Sequence, residues 1–187
     1  MFPRPRDDRG RVKAYTLLIT QLGKGVTRRA AEEKAEQRLF GGALIHDSSG
    51  KPLLDRSPFL AVSISHSHHW LTALIVPFGI PAGIDIEEKA LQAERTLERY
   101  STETERKLLI RDGLSPLHLW TAKEALYKAF SKDLSKGVNQ IIFEGVDKFA
   151  VHLDDGKTEY QLIEWIEWQG ALIAHNIVVG KLKIEEV

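Results

Sequence analysis

Hydrophobic and polar positions follow two rhythms along this chain. Residues 12–20 (VKAYTLLIT) are rich in β-formers and read as a strand, closed by Gly23 and Gly25. Thr27 opens a stretch dense in Ala, Glu, Lys and Arg, which predicts a helix; Gly41 and Gly42 weaken its end and residues 43–45 extend it. Residues 46–57 have the Asp, Ser, Gly and Pro content of a loop. Three short strands follow at 59–65, 70–76 and 82–87, the last set off by Pro77 and Pro81. The period then becomes helical. Residues 91–99 are amphipathic, Thr102 and Glu105 have capping-box spacing for a helix to about 111, and Ser115-Pro116 starts another to about 131. β-Branched and aromatic residues return at 138–143, 149–153, 159–168 and 172–179, with turn signals at 154–157 and 169–170. This order predicts an α+β fold with mostly antiparallel pairing.

Composition narrows the function classes. The chain has 187 residues, and its 26 Lys plus Arg balance 26 Asp plus Glu, so bulk charge supplies no attraction to nucleic acid. With no cysteine, a disulfide scaffold, Cys-ligated zinc and a thiol nucleophile are excluded. The first dozen residues are polar and Pro/Arg-rich, unlike a secretory signal. The longest apolar stretch, 71–86, is interrupted by Pro77, Gly79, Pro81 and Gly83 and is too short to span a bilayer. A cytoplasmic protein with no membrane partner is expected.

Three constellations could carry chemistry. In GIDIE (83–87), Asp85 and Glu87 project to one face of a strand and Ile84 and Ile86 to the other. Paired carboxylates need cations or a metal ion beside them; an acidic solvent-facing edge is the plain alternative. In WTAKEALYK (120–128), Trp120, Glu124, Tyr127 and Lys128 share a helix side. Glu124 there is either half of a surface Glu–Lys pair or a third hard oxygen ligand for Mg²⁺, with Lys123 and Lys128 placed for phosphate. SISHS (63–67), with Gly50-Lys51-Pro52 upstream, offers an anion cradle or ordinary strand-end capping. His66, His68 and His69 leave open a weaker reading as a zinc hydrolase.

GKP, SISHS, GIDIE and WTAKEALYK, in that order over about residues 50–130, resemble the 4′-phosphopantetheinyl transferases, in particular the larger monomeric type that activates surfactin synthetase and similar systems. The resemblance implies two similar α/β halves related by a pseudo-twofold, here 1–88 and 89–187, with coenzyme A between them. It implies Mg²⁺, replaceable by Mn²⁺, held by Asp85, Glu87 and Glu124 on the coenzyme A pyrophosphate. Lys123 and Lys128 would contact phosphate, and Lys51, Ser65 and His66 the 3′-phosphate. The resemblance also implies a general base in the segment RYSTETE (99–105), Glu105, with Glu103 as rival and helix capping as its alternative role. The implied reaction moves 4′-phosphopantetheine from coenzyme A to a serine of an acyl, peptidyl or polyketide carrier protein, releasing 3′,5′-ADP. A non-catalytic carrier- or coenzyme A-binding module on the same fold is the competing reading. Lys24, Arg28, Arg29 and Arg38 are available for the nucleotide, and Lys132 and Lys136 for an acidic carrier.

Overall fold

The computed structural model describes residues 16–22, 30, 33, 37, 44–46, 52–54, 60–177 and 183–186. Its largest sheet joins β1 (Thr16–Gln21), β2 (Leu44–His46), β3 (Pro52–Leu54), β4 (Leu60–His66), β5 (Trp70–Pro77) and β12 (Lys183–Glu186), in the order β12-β1-β5-β4-β3-β2. The pairings are antiparallel except β1 with β12. β5 is almost continuously apolar because both its faces are covered. Leu74 and Val76 enter one core cluster with Leu17 and Ile19, while Leu71 and Ala73 enter another with Leu18 and Val62.

A second sheet has the order β10-β11-β6, from β10 (Glu164–Trp168), β11 (Ala171–His175) and β6 (Ile84–Glu87); a third runs β7-β8-β9, from β7 (Ile141–Gly145), β8 (Lys148–His152) and β9 (Thr158–Leu162). β6 pairs with β11, and β1 with β12, so strand pairing crosses the 88/89 boundary expected between halves. The helices are α1 (Ala90–Tyr100), α2 (Glu103–Asp112) and α3 (Pro116–Phe130); α3 packs on β6, β11 and β7, α2 on β7, and α1 on α3. The α+β class is as expected. No helix among the described residues is long and apolar enough to cross a membrane.

Four local expectations change. Residues 44 and 45, expected to extend a helix, pair together with His46 as β2 with β3, which itself forms inside the expected loop. The 159–168 run splits at Ile163 into β9 and β10, which join different sheets. The run from 138 begins as a 3₁₀ turn, Gly137–Gln140, before β7. β12 had no counterpart in the sequence pattern. For β12 the partner strand, β1, is distant in the chain, which local propensity does not encode.

α2 begins as its spacing predicts. Thr102 Oγ1 accepts from the Glu105 N–H at 3.2 Å, and Glu105 Oε2 accepts from the Thr102 N–H at 2.8 Å. Gly113 ends it in the left-handed region at φ 69°. α3 carries Leu119, Ala122, Ala125, Leu126 and Ala129 into a core with Phe143 and Phe149. Its alanines let β6 lie directly against it. A Cβ on Gly83 would collide with the Ala125 carbonyl. Gly83→Ala should therefore cost about 1–3 kcal/mol or more through overpacking, read as a fall in urea midpoint together with lost activity.

The start of α3 titrates. His118 Nδ1 accepts from the Ser115 N–H at 3.3 Å and lies 2.8 Å from Ser115 Oγ, so the ring serves the cap only when Nδ1 is unprotonated. Burial lowers the His118 pKa below 6.5, against the pull of Glu167, and burial likewise lowers that of His175. A histidine held neutral in the folded state contributes stability above its unfolded pKa and loses it as pH falls below about 6.5. Denaturant midpoints should drop on acidification through that window. His118→Gln, which keeps a capping acceptor without a titration, should flatten the drop in part; an unchanged pH profile would assign the acid sensitivity elsewhere.

Candidate functional site

β6 and α3 meet along the strand face that carries the acids. Ile84 and Ile86 are fully buried on the opposite face, as the alternation predicts, and Asp85 is itself buried. Asp85 Oδ1 accepts from Ser65 Oγ and from Lys128 Nζ, each at 2.7 Å. Lys128 Nζ also reaches the Ile84 carbonyl at 3.1 Å. Asp85 Oδ2 is buried with no hydrogen-bond partner. A buried carboxylate oxygen left unpaired costs on the order of 1–3 kcal/mol or more.

Two further carboxylates share this field. Burial raises the Glu87 pKa and Asp85 adds to the rise, while the Trp120 side chain hydrogen-bonds to the carboxylate and partly offsets it. Burial also raises Glu124, with repulsion from Asp85 and Glu87 opposed by Lys128. Among the described residues, no three acidic or histidine side chains already converge as a metal site. The three acids are coupled neighbours rather than a closed cage. Their chemistry suits a hard divalent cation: all donors are oxygens, one buried oxygen lacks a partner, and the mutual repulsion is what a dication would relieve.

The other expected site residues fall elsewhere. Lys123 and Glu105 are each 1% exposed and form an ion pair of 2.8 Å. Lys123 Nζ also donates to the Tyr100 carbonyl at 2.7 Å, and Glu105 Oε1 accepts from the Phe143 N–H at 2.9 Å. Burial lowers the Lys123 pKa, and Glu105 pulls it back up. Neither head group, expected as phosphate contact and proton acceptor, faces solvent in this arrangement. The rival, Glu103, is exposed and pairs with Lys107 at 2.6 Å.

The hydroxyl of Ser65, expected at the 3′-phosphate, donates to Asp85. His66 borders a small pocket of about 100 Å³ with Ser67, His68, Glu87 and Glu88. His69 Nδ1 lies 2.7 Å from Glu88 Oε1, so the three histidines are not joined as a zinc set. Burial opposes ionisation of Glu88, but hydrogen bonds from Ser67 and His69 hold its carboxyl down at about 2. Lys51, Lys24, Arg28, Arg29 and Arg38 lie outside the described residues.

Two clefts lie nearby; Glu87 lines the smaller, and none of the three acids lines the larger. One, of about 740 Å³, is lined by Leu53 and Ile64, by Phe78 on the turn after β5, by Lys128 near the end of α3, by Lys132 and Asp133 in the turn after it, and by Glu159. The other, of about 370 Å³, is bounded by Glu87, Arg99, Tyr100, Trp120 and Val138. Sequence reasoning missed the serine bonds to β6: Ser63 Oγ accepts from the Ile84 N–H at 3.1 Å, and Ser65 meets Asp85. The period-2 spacing of Ser63 and Ser65 was the available signal, because it puts both hydroxyls on one strand face.

The model of the 4′-phosphopantetheinyl transferase superfamily matches residues 81–175, about half of the chain. That span holds the acids of β6 and all of α3. The 4′-phosphopantetheinyl transferase psf-1 of Bacillus pumilus is 31% identical over 98 residues, which make up 50% of this chain and 41% of that protein. The chain thus spans less than half the length of this relative.

Proposed function

Because the chain belongs to the 4′-phosphopantetheinyl transferase superfamily, we propose that it transfers 4′-phosphopantetheine from coenzyme A to a serine of a carrier protein. The observation that carries this reading is the unsatisfied Asp85 Oδ2 beside two carboxylates whose pKa values are raised, next to a cleft that Lys128 enters. Asp85, Glu87 and Glu124 would hold Mg²⁺, which when bound supplies positive charge to the phosphoryl oxygens. Coenzyme A would occupy the 740 Å³ cleft, whose size lies within the range of small-molecule sites.

In the transfer, the serine oxygen forms a bond to the phosphorus that carries pantetheine. The phosphorus–oxygen bond to 3′,5′-ADP breaks, and the serine proton passes to solvent. Lys128, 30% exposed and tethered to Asp85, neutralises charge growing on the leaving phosphate. Asp85 in turn holds the ammonium in place. The buried Lys123–Glu105 pair sets the position of α3 relative to α2 and β7 without touching substrate. His66 and Lys51 stay with the 3′-phosphate in this reading.

A thermal-shift titration tests it. Mg²⁺ with coenzyme A should raise the melting temperature of the parent, because ligands that bind only the folded state stabilise it by mass action. Asp85→Asn should lose most of the Mg²⁺-dependent part. A parent indifferent to both ligands would contradict the proposal.

A further inference from the structure

Serines spaced by two along β4 and its turn tie that strand to β6. Ser63 Oγ accepts from the Ile84 N–H, Ser65 Oγ donates to Asp85, and the Ser67 side chain bonds to the Glu88 carboxylate. His69 reinforces the last tie. Its N–H donates to Glu88 Oε2 at 2.9 Å, and its Nδ1 lies 2.7 Å from Glu88 Oε1. Glu88 thus grips the turn between β4 and β5 with both carboxylate oxygens. Bonds to an ionised group at such lengths are the strong ones. The turn is also closed on itself: the Ser67 N–H donates to the Trp70 carbonyl at 2.8 Å, and the Trp70 N–H to Ser67 Oγ at 3.3 Å. The pocket of about 100 Å³ lies between the two gripped segments, with His66, Ser67 and His68 from one and Glu87, Glu88 and Lys89 from the other. The His69 side chain is about half exposed, and an ion pair this open adds little to folding stability. What it fixes is where His66 stands relative to Glu87.

We propose that Glu88, acting through His69, is a positioning residue for the donor. It holds the His66-bearing turn at a set distance from Glu87, so that the 3′-phosphate at His66 and the pyrophosphate at Glu87 are held at once. The inference rests on the reading of the protein as a coenzyme A-dependent transferase. Binding groups displaced by about 1 Å lose much of their effect, which gives a residue that touches no substrate a measurable role.

Calorimetric titrations with coenzyme A and with 3′-dephospho-coenzyme A, both in Mg²⁺, test it. The parent should prefer coenzyme A. Glu88→Ala should erode that preference by about 10-fold or more, the loss of one charge-assisted contact, and leave 3′-dephospho-coenzyme A close to the parent value. Glu88→Gln should restore the preference, because its amide oxygen accepts from the His69 N–H and its amide nitrogen reaches Nδ1. His69→Ala keeps the backbone bond and should fall between; it also serves as the comparison if Glu88→Ala fails to fold. Urea midpoints of the folded variants should stay near that of the parent. An undiminished preference in Glu88→Ala and His69→Ala overturns the inference, as does an equal loss for both donors. Glu88→Gln as impaired as Glu88→Ala overturns it too, since charge rather than position would then be at work. A parent that binds the two donors equally removes the inference and leaves the transferase reading standing; a parent that binds neither removes both.

Discussion

Asp85→Ala, Glu87→Ala and Glu124→Ala are each expected to lower kcat/KM for phosphopantetheine transfer by roughly 10²- to 10³-fold. Each removes one hard oxygen from a shared cation, and such a cation supplies several kcal/mol of charge stabilisation at ~1.36 kcal/mol per tenfold. Folding should survive. Asp85 gives up its bonds to Ser65 and Lys128 in the variant, but its repulsion of Glu87 and Glu124 disappears too. The raised carboxylates add a sign that separates this account from a purely structural one. A carboxyl whose folded pKa lies above its unfolded value of about 4.5 contributes stability at low pH that is lost as pH rises through that window. Mg²⁺ should restore it, and a saturating chelator should reproduce the activity loss of the alanine variants in the parent. Steady-state kinetics against Mg²⁺ concentration check all of this. Parent-like turnover in all three variants would sink the cation assignment.

The second large effect lies in the buried pair. Lys123→Ala or Glu105→Ala should destabilise the protein by about 3–5 kcal/mol, because each strands its partner's charge in the interior. Glu105 also caps α2 and receives the Phe143 N–H, so its loss loosens the contact between α2 and β7 as well. The double variant Lys123→Met with Glu105→Gln should recover a large part of that loss, since no unpaired charge remains. Urea denaturation of the two single variants and the double one measures the coupling. A catalytic base behaves differently: Glu105→Gln would then lower kcat while leaving the urea midpoint where it was.

The acids of the site were legible because strand geometry is local. GIDIE alternates, so Asp85 and Glu87 had to share a face once the strand formed, and Ile84 and Ile86 had to be buried. The capping box at Thr102 and the Ser-Pro start of α3 were legible for the same reason. Lys123 and Glu105 were not. Eighteen positions apart, they pair only after α2 and α3 dock on β7, and a helical period cannot separate a lysine facing phosphate from one facing a buried carboxylate. The β2–β3 hairpin and β12 were hidden likewise, because their edges are chosen by β4 and β1 rather than by their own residues. Ser65 shows the intermediate case: its strand and face could be read, but its partner depended on which strand lay beneath.

The most direct test of the central claim is the intact mass of an apo-carrier protein after incubation with coenzyme A, Mg²⁺ and this chain. The account predicts a mass gain of one phosphopantetheine group on the carrier serine, with 3′,5′-ADP released in equal amount. It also predicts no gain with a chelator present, with Asp85→Ala, or with a Ser→Ala carrier. An unmodified carrier from every class tried, despite tight binding of coenzyme A by the parent, would contradict the claim.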